Sequence, residues 1–175
     1  MDHYPRPSCV KPLADFSSHP ELAADPGSYD FWSPDSKGSP ILDFGHGVEL
    51  ADYVLADAKA RRRSDLSLRI IGGMSLKAHT GNLEMGFLWA IARKAIHGAL
   101  PTTDEAPAHI TPELQDECRK GIGLARHDLT AARLTGNPGE IVNHMEAGVK
   151  NGELYADFGA YCRTVVEAAM AAGEN

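Results

Sequence analysis

After residue 41, apolar side chains recur every three or four positions, which is the spacing of one buried helix face. In residues 82–98, for example, Leu83, Phe87, Ile91 and Ala95 repeat at four-residue intervals. Similar stripes predict further helices over residues 46–63, 111–136 and 137–151, and from residue 154 towards the C-terminus. The pattern therefore predicts five helices joined by short connections.

The residues at the ends of these segments match known helix starts. Residues 111–113 supply a threonine cap, a proline for the first helical position and an acid for the first turn. Asn82 is placed to cap the helix of residues 82–98. Asn137 and Glu140 have the spacing of a capping box.

A sixth helix is a weaker prediction, between residues 64 and 73. Leu66–Ile70 alternates like a strand, but a single strand has no partner to pair with in this chain. We expect a short helix capped by Ser64, with a weak point at Gly72 and Gly73.

The first 40 residues have a different composition, because they contain seven of the eleven prolines. Proline at this density opposes long helices and regular strands, so an extended or turn-rich arm is expected. The arm also carries Tyr29, Phe31 and Trp32, and aromatic side chains gain free energy by burial. We predict that these three anchor the arm, either on its own helices or on a neighbouring subunit.

The predicted fold is all-α, a bundle of five or six helices preceded by a proline- and aromatic-rich N-terminal arm. Residues 1–45 would form the arm and residues 46–175 the bundle domain. A chain of 175 residues is the usual size for one domain.

Charge and cysteine content narrow the setting. The net charge of −7 argues against general binding of nucleic acid, which needs a dense basic surface. No apolar run approaches the length of a membrane helix, so no membrane association is expected. Three widely spaced cysteines favour a reducing compartment, and a cytoplasmic location is expected. Cys9, in the arm, is the thiol expected to be exposed.

Candidate chemistry comes from histidines and acids, because the chain lacks nucleophile-elbow, phosphate-loop and zinc-protease motifs. Glu140 and His144 are four residues apart on one predicted helix face, where a carboxylate can orient an imidazole as a base or metal ligand. His79, Glu84 and His97 bracket the helix of residues 82–98. Catalytic candidates are thus Glu84, His97, Glu140 and His144. Metal candidates are His79 and His144, although no metal site is predicted, and the sequence leaves the cofactor open.

A basic stripe is the other pattern to consider. Arg119, Arg126 and Arg133 recur every seven residues and share a helix face, so they could bind an acidic partner. Acidic residues share the same helix, and an ordinary salt-bridged surface also explains the pattern.

Two functions remain open from the sequence. The first is a non-catalytic helical subunit that assembles through its arm, with itself or with a larger enzyme partner. The second is a small helical enzyme or a ligand- or metal-binding protein, with a pocket of His and Glu side chains between helices.

Overall fold

The computed structural model describes residues 7–13, 29–101, 109–153 and 155–173. This part of the chain confirms the all-α fold, with six helices and one short antiparallel ribbon. The ribbon pairs β1 (Lys11–Pro12) with β2 (Tyr29–Asp30). The helices are α1 (Pro40–Arg61), α2 (Asp65–Lys77), α3 (Asn82–Ala95), α4 (Pro112–Thr135), α5 (Gly139–Lys150) and α6 (Ala156–Met170). The predicted arm falls outside the described residues at 1–6 and 14–28, as does Leu154 of the predicted last helix.

The first helix begins six residues before the predicted start at His46. Pro40 occupies the first helical position, where its missing N–H costs nothing. Ser39 caps the helix by accepting a hydrogen bond from the backbone N–H of Leu42 at 3.3 Å. The proline that suggested irregular structure thus starts α1 instead.

The predicted sixth helix is present as α2, and it continues through both glycines to Lys77. Gly73 is needed for packing, because a Cβ there would lie 3.1 Å from the backbone nitrogen of Trp32. The expectation of a weak point at Gly72 and Gly73 is therefore wrong. Gly73 instead lets the arm backbone pack closely against α2.

Of the four predicted caps, one is confirmed and two are wrong, while Ser64 holds the cap position of α2 without a capping hydrogen bond from its side chain. Thr111 caps α4 by accepting from the N–H of Leu114. Asn82 is instead the first residue of α3, and Gly81 holds the cap position. Asn137 precedes the cap residue of α5 and accepts from the N–H of Gly139 at 2.9 Å. Glu140 is then the second helical residue, so the capping-box spacing is lost.

Glycines allow the helices to pack closely at their crossings. A Cβ on Gly47 of α1 would overlap the carbonyl oxygen of Leu83 in α3, and one on Gly86 would overlap that of Phe44. Gly121 of α4 meets the carbonyl oxygen of Asp157 in α6 in the same way. The core draws more of its buried residues from α3 and α6 than from the other helices.

Part of the arm is fixed to its own bundle by Trp32, whose side chain is buried. The indole packs edge-on to Phe87 of α3, with 5.5 Å between ring centroids, and its Nε1–H donates to Glu84 Oε1 at 2.8 Å. Tyr29 and Phe31 pack half-buried at the edge of the same core. The division of the chain at residue 45 stays a prediction.

Cys9 corrects another expectation, because it is fully buried rather than exposed. Its backbone carbonyl accepts from the N–H of Ser33, which joins the two described arm segments. Burial raises the pKa of the Cys9 thiol to about 12, so the sulfur stays protonated at neutral pH.

Candidate functional site

The candidate site is a cleft between α2, the first half of α4, and α6. Its volume is about 450 Å³ and it opens to solvent. Most of its lining is apolar, as is usual for sites that bind small molecules. The apolar lining comprises Leu68, Ile71, Ile110, Leu114, Cys118, Ile122, Tyr155, Ala156, Phe158, Ala160 and Cys162, and Gly72 and Gly159 contribute backbone.

The cleft exists because only the second half of α4 is packed into the core. No residue of α4 before Gly121 is buried. At Gly121 the helix meets α6 closely, and on the N-terminal side of this crossing Leu114 and Cys118 face the open cleft. The apolar stripe that predicted α4 is therefore used for two purposes, core packing in one half and cleft wall in the other.

The polar side chains of the cleft other than Thr164, whose hydroxyl donates to the carbonyl oxygen of Ala160 at 2.9 Å, have unused hydrogen-bonding capacity. The hydroxyl of Ser75 is buried, and it has no hydrogen-bond partner among the described residues. Glu153 and Glu167, which are half-buried, and Arg163, which is exposed, also line the cleft, and their side chains form no hydrogen bond or ion pair within the described part of the chain. Buried polar groups are usually satisfied in folded proteins, so an unpaired Ser75 hydroxyl at the wall of a cavity calls for a partner.

Burial governs the titration of two cleft residues. It raises the pKa of the Glu167 carboxyl above its ordinary value, and the nearby Arg163 opposes that rise. Burial also raises the pKa of the Cys162 thiol, and the charge of Glu153 adds to the effect. Cys162 is therefore a protonated thiol at neutral pH, not a nucleophilic thiolate.

The predicted pair of Glu140 and His144 is not formed. His144 Nδ1 lies instead 2.7 Å from Asp128 Oδ2, so the imidazole of α5 pairs with a carboxylate of α4. Tyr161 of α6 donates to the same oxygen at 2.8 Å, and His127 Nδ1 lies 3.3 Å from Oδ1. Asp128 is buried, and its acceptor capacity is well used.

The Asp128 cluster, meaning Asp128 with His127, His144 and Tyr161, ties three helices together. Burial and the bond to Asp128 raise the pKa of the Tyr161 phenol, so the group stays a donor. The sequence analysis missed Asp128 as a site residue. The sequence did contain a signal for Asp128, because this residue lies three positions after Ala125 on the apolar stripe of α4.

The remaining acid and histidine candidates are in separate places. Glu84 is buried beneath the arm, where it accepts from Trp32 and from the N–H of Gly81 at 2.7 Å. His79 is exposed on the other side of Gly81, and its Nε2 would lie 3.3 Å from a Cβ at that glycine. His97 is exposed and lines a groove between α1 and α3. The structure therefore brings His79 and Glu84 close together and leaves His97 apart from them.

The three arginines of the predicted basic stripe have different surroundings. Arg119 pairs with Asp116 at 2.7 Å on the surface of α4. Arg133 is half-buried and donates to the carbonyl oxygens of Ala95 and Gly98 at the end of α3. Arg126 lies between them and is half-buried. Arg133 therefore stabilises a helix end in its own chain, where basic side chains are favourable.

The described residues contain no group of three or more His, Cys, Asp or Glu side chains arranged to hold a metal ion. None of the six helices has the length and apolar character needed to cross a bilayer. No family model, curated protein or solved structure matches the chain. We therefore base the proposed function on the cleft.

Proposed function

We propose that this protein binds a small, mainly apolar molecule in the cleft between α2, α4 and α6. The carrying observation is the combination of an apolar cavity of about 450 Å³ with the buried Ser75 hydroxyl, which has no partner in the described chain. Volume, apolar lining and a few polar groups are the common features of small-molecule sites. The polar residues for orienting the ligand are Ser75, Glu153, Arg163 and Glu167.

Binding is proposed rather than catalysis because of what the cleft contains. The described cleft residues include no imidazole that could activate Ser75 or Cys162 as a nucleophile. His144, the best-oriented histidine, is held by Asp128 and lines a smaller neighbouring cavity.

Assembly through the N-terminal arm, with a second copy or a larger partner, stays a prediction. The arm residue best suited to anchor a partner is Trp32, and it is already buried on α3 of its own chain. This engagement favours ligand binding over arm-mediated assembly as the main proposal.

The test uses N-phenylnaphthylamine, a neutral apolar dye whose fluorescence rises when it leaves water. We expect saturable binding of one dye per chain. Gly72→Leu and Gly159→Leu would each add a side chain at the cleft, and the backbone tolerates its start, since no atom lies within 4 Å of a Cβ at either position. Both variants should bind the dye at least about tenfold more weakly, a loss of at least about 1.4 kcal/mol.

Gly123→Leu is the matched control, because Gly123 is also a helical glycine with open space around it but does not line the cleft. It should bind the dye like the unmodified protein. Equal binding by all three variants, or no saturable binding at all, would contradict the proposal.

A further inference from the structure

We propose that the ligand of the cleft is a cationic amphiphile, an apolar chain or ring system that carries a protonated amine. Its ammonium would donate to the Glu153 carboxylate and the Ser75 hydroxyl while its apolar part fills the cleft. This inference rests on the proposed function and adds the chemical class of the ligand.

The charge balance of the cleft favours a cationic ligand. Its charged residues are Glu153, Arg163 and Glu167, so carboxylates outnumber cations. Arg163 and Glu167 are four residues apart on α6, and their charges influence each other. Arg163 is exposed to solvent and its charge is partly offset by Glu167 without an ion pair, which makes it a weaker receptor for an anionic ligand than a buried arginine would be.

Glu153 has no comparable neighbour. Its side chain is half-buried in the turn between α5 and α6. Lys120 and His144 line the smaller cavity that Glu153 also lines, but neither forms an ion pair with it. A carboxylate that is partly removed from water and has no cationic partner gains most from a ligand that supplies one.

Ser75 provides an independent observation that a ligand group belongs here. Its side chain is about 1% exposed, lines the cleft and has no described partner for its Oγ. The residue lies next to the α5–α6 turn, because its carbonyl oxygen would be 3.4 Å from a Cβ at Gly152. The backbone of Ser75 thus lies beside the turn that carries Glu153, both residues line the cleft, and an ammonium has donors for a hydroxyl and a carboxylate.

The experiment compares decylamine, decanol and decanoate as competitors that displace N-phenylnaphthylamine at neutral pH. The three share one alkyl chain and differ in the head group. We expect decylamine to displace the dye at a concentration about tenfold below that of decanol, with decanoate the weakest, since hydrogen bonds to charged groups are the strong ones. Glu153→Gln should remove most of the advantage of decylamine and leave decanol unchanged.

Glu140→Gln is the control for a general change in charge, because Glu140 is an exposed acid outside the cleft. It should leave all three competitors unchanged. Ser75→Ala serves as a second variant if Glu153→Gln does not fold, and it should also weaken decylamine selectively. If the dye binds but decanol or decanoate displaces it as well as decylamine does, the inference is wrong and the proposed function stands. If the dye does not bind, both fail.

Discussion

Helix α4 takes part in two regions that treat polar side chains in opposite ways. In its second half, Asp128 is buried and accepts hydrogen bonds from groups on two other helices. Beside its first half, the cleft holds the buried Ser75 hydroxyl, which has no partner among the described residues. Satisfied polar groups stabilise a fold, whereas unsatisfied ones beside a cavity have bonds to offer a ligand.

We therefore expect the Asp128 cluster to contribute to stability and the cleft to contribute to binding. Substitutions in the cluster should therefore affect unfolding, and those in the cleft should affect ligand affinity.

The largest effect is expected from Asp128→Ala. This change leaves the buried Tyr161 hydroxyl and the facing His144 nitrogen without their acceptor, and it should lower the free energy of unfolding by about 3 kcal/mol. Urea denaturation followed by circular dichroism measures it. Asp116→Ala, at an exposed position on the same helix, should change it by less than about 0.5 kcal/mol. A stable Asp128→Ala protein would show that the cluster does not hold the helices together.

The next effect concerns glycines of the two regions. Gly121→Ala should destabilise the protein by about 2 kcal/mol, because its Cβ would overlap the carbonyl of Asp157 where α4 and α6 cross. Gly159→Ala, in the open cleft, should instead raise stability by about 0.5–1 kcal/mol through helix propensity. Thermal melting of both variants checks the signs. Destabilisation by Gly159→Ala would mean that the cleft is closed in solution.

Removing one hydroxyl from each region gives a smaller and more direct contrast. Tyr161→Phe should cost about 1–1.5 kcal/mol, because it deletes a bond to a buried carboxylate. Ser75→Ala should cost about zero, since its hydroxyl has no described partner. Paired urea titrations measure the difference. Equal costs would show that the two hydroxyls have equivalent environments.

The smallest effect is the pH dependence due to Glu167. Burial raises the pKa of the Glu167 carboxyl in the folded protein. The protein is therefore more stable at low pH, where Glu167 is protonated, and it loses this stability as pH rises through the raised pKa. At neutral pH the charged Glu167 carboxylate slightly lowers the free energy of unfolding, so Glu167→Gln should raise Tm slightly. The gain should disappear below the ordinary value of 4.5. A gain that persists in acid would rule out carboxylate burial as its cause.

The sequence predicted the helices well because apolar periodicity reports which helix face is buried. It placed the start of α1 too late, since proline density hid the role of Pro40 as a first helical residue. It also paired His144 with Glu140 by spacing along one helix, while the actual partner, Asp128, comes from another helix. Contacts between helices depend on how the helices pack, which local spacing does not specify.

The cleft could not be predicted for a similar reason. Leu114 and Cys118 continue the same apolar stripe as Ala125 and Leu129, and nothing in that stripe separates a core position from a cavity wall. No motif in the sequence singles out Ser75, because its place at the cleft depends on the turn before α6.

The most direct test of the proposed binding site is methyl NMR of isoleucine-labelled protein titrated with N-phenylnaphthylamine. Three isoleucines line the cleft, Ile71, Ile110 and Ile122, while Ile91 and Ile141 are fully buried in the core. The proposal predicts saturable shifts of the three cleft methyl signals, with the two core signals nearly unchanged. Shifts confined to the exposed Ile41 on α1, or no shifts at all, would contradict it.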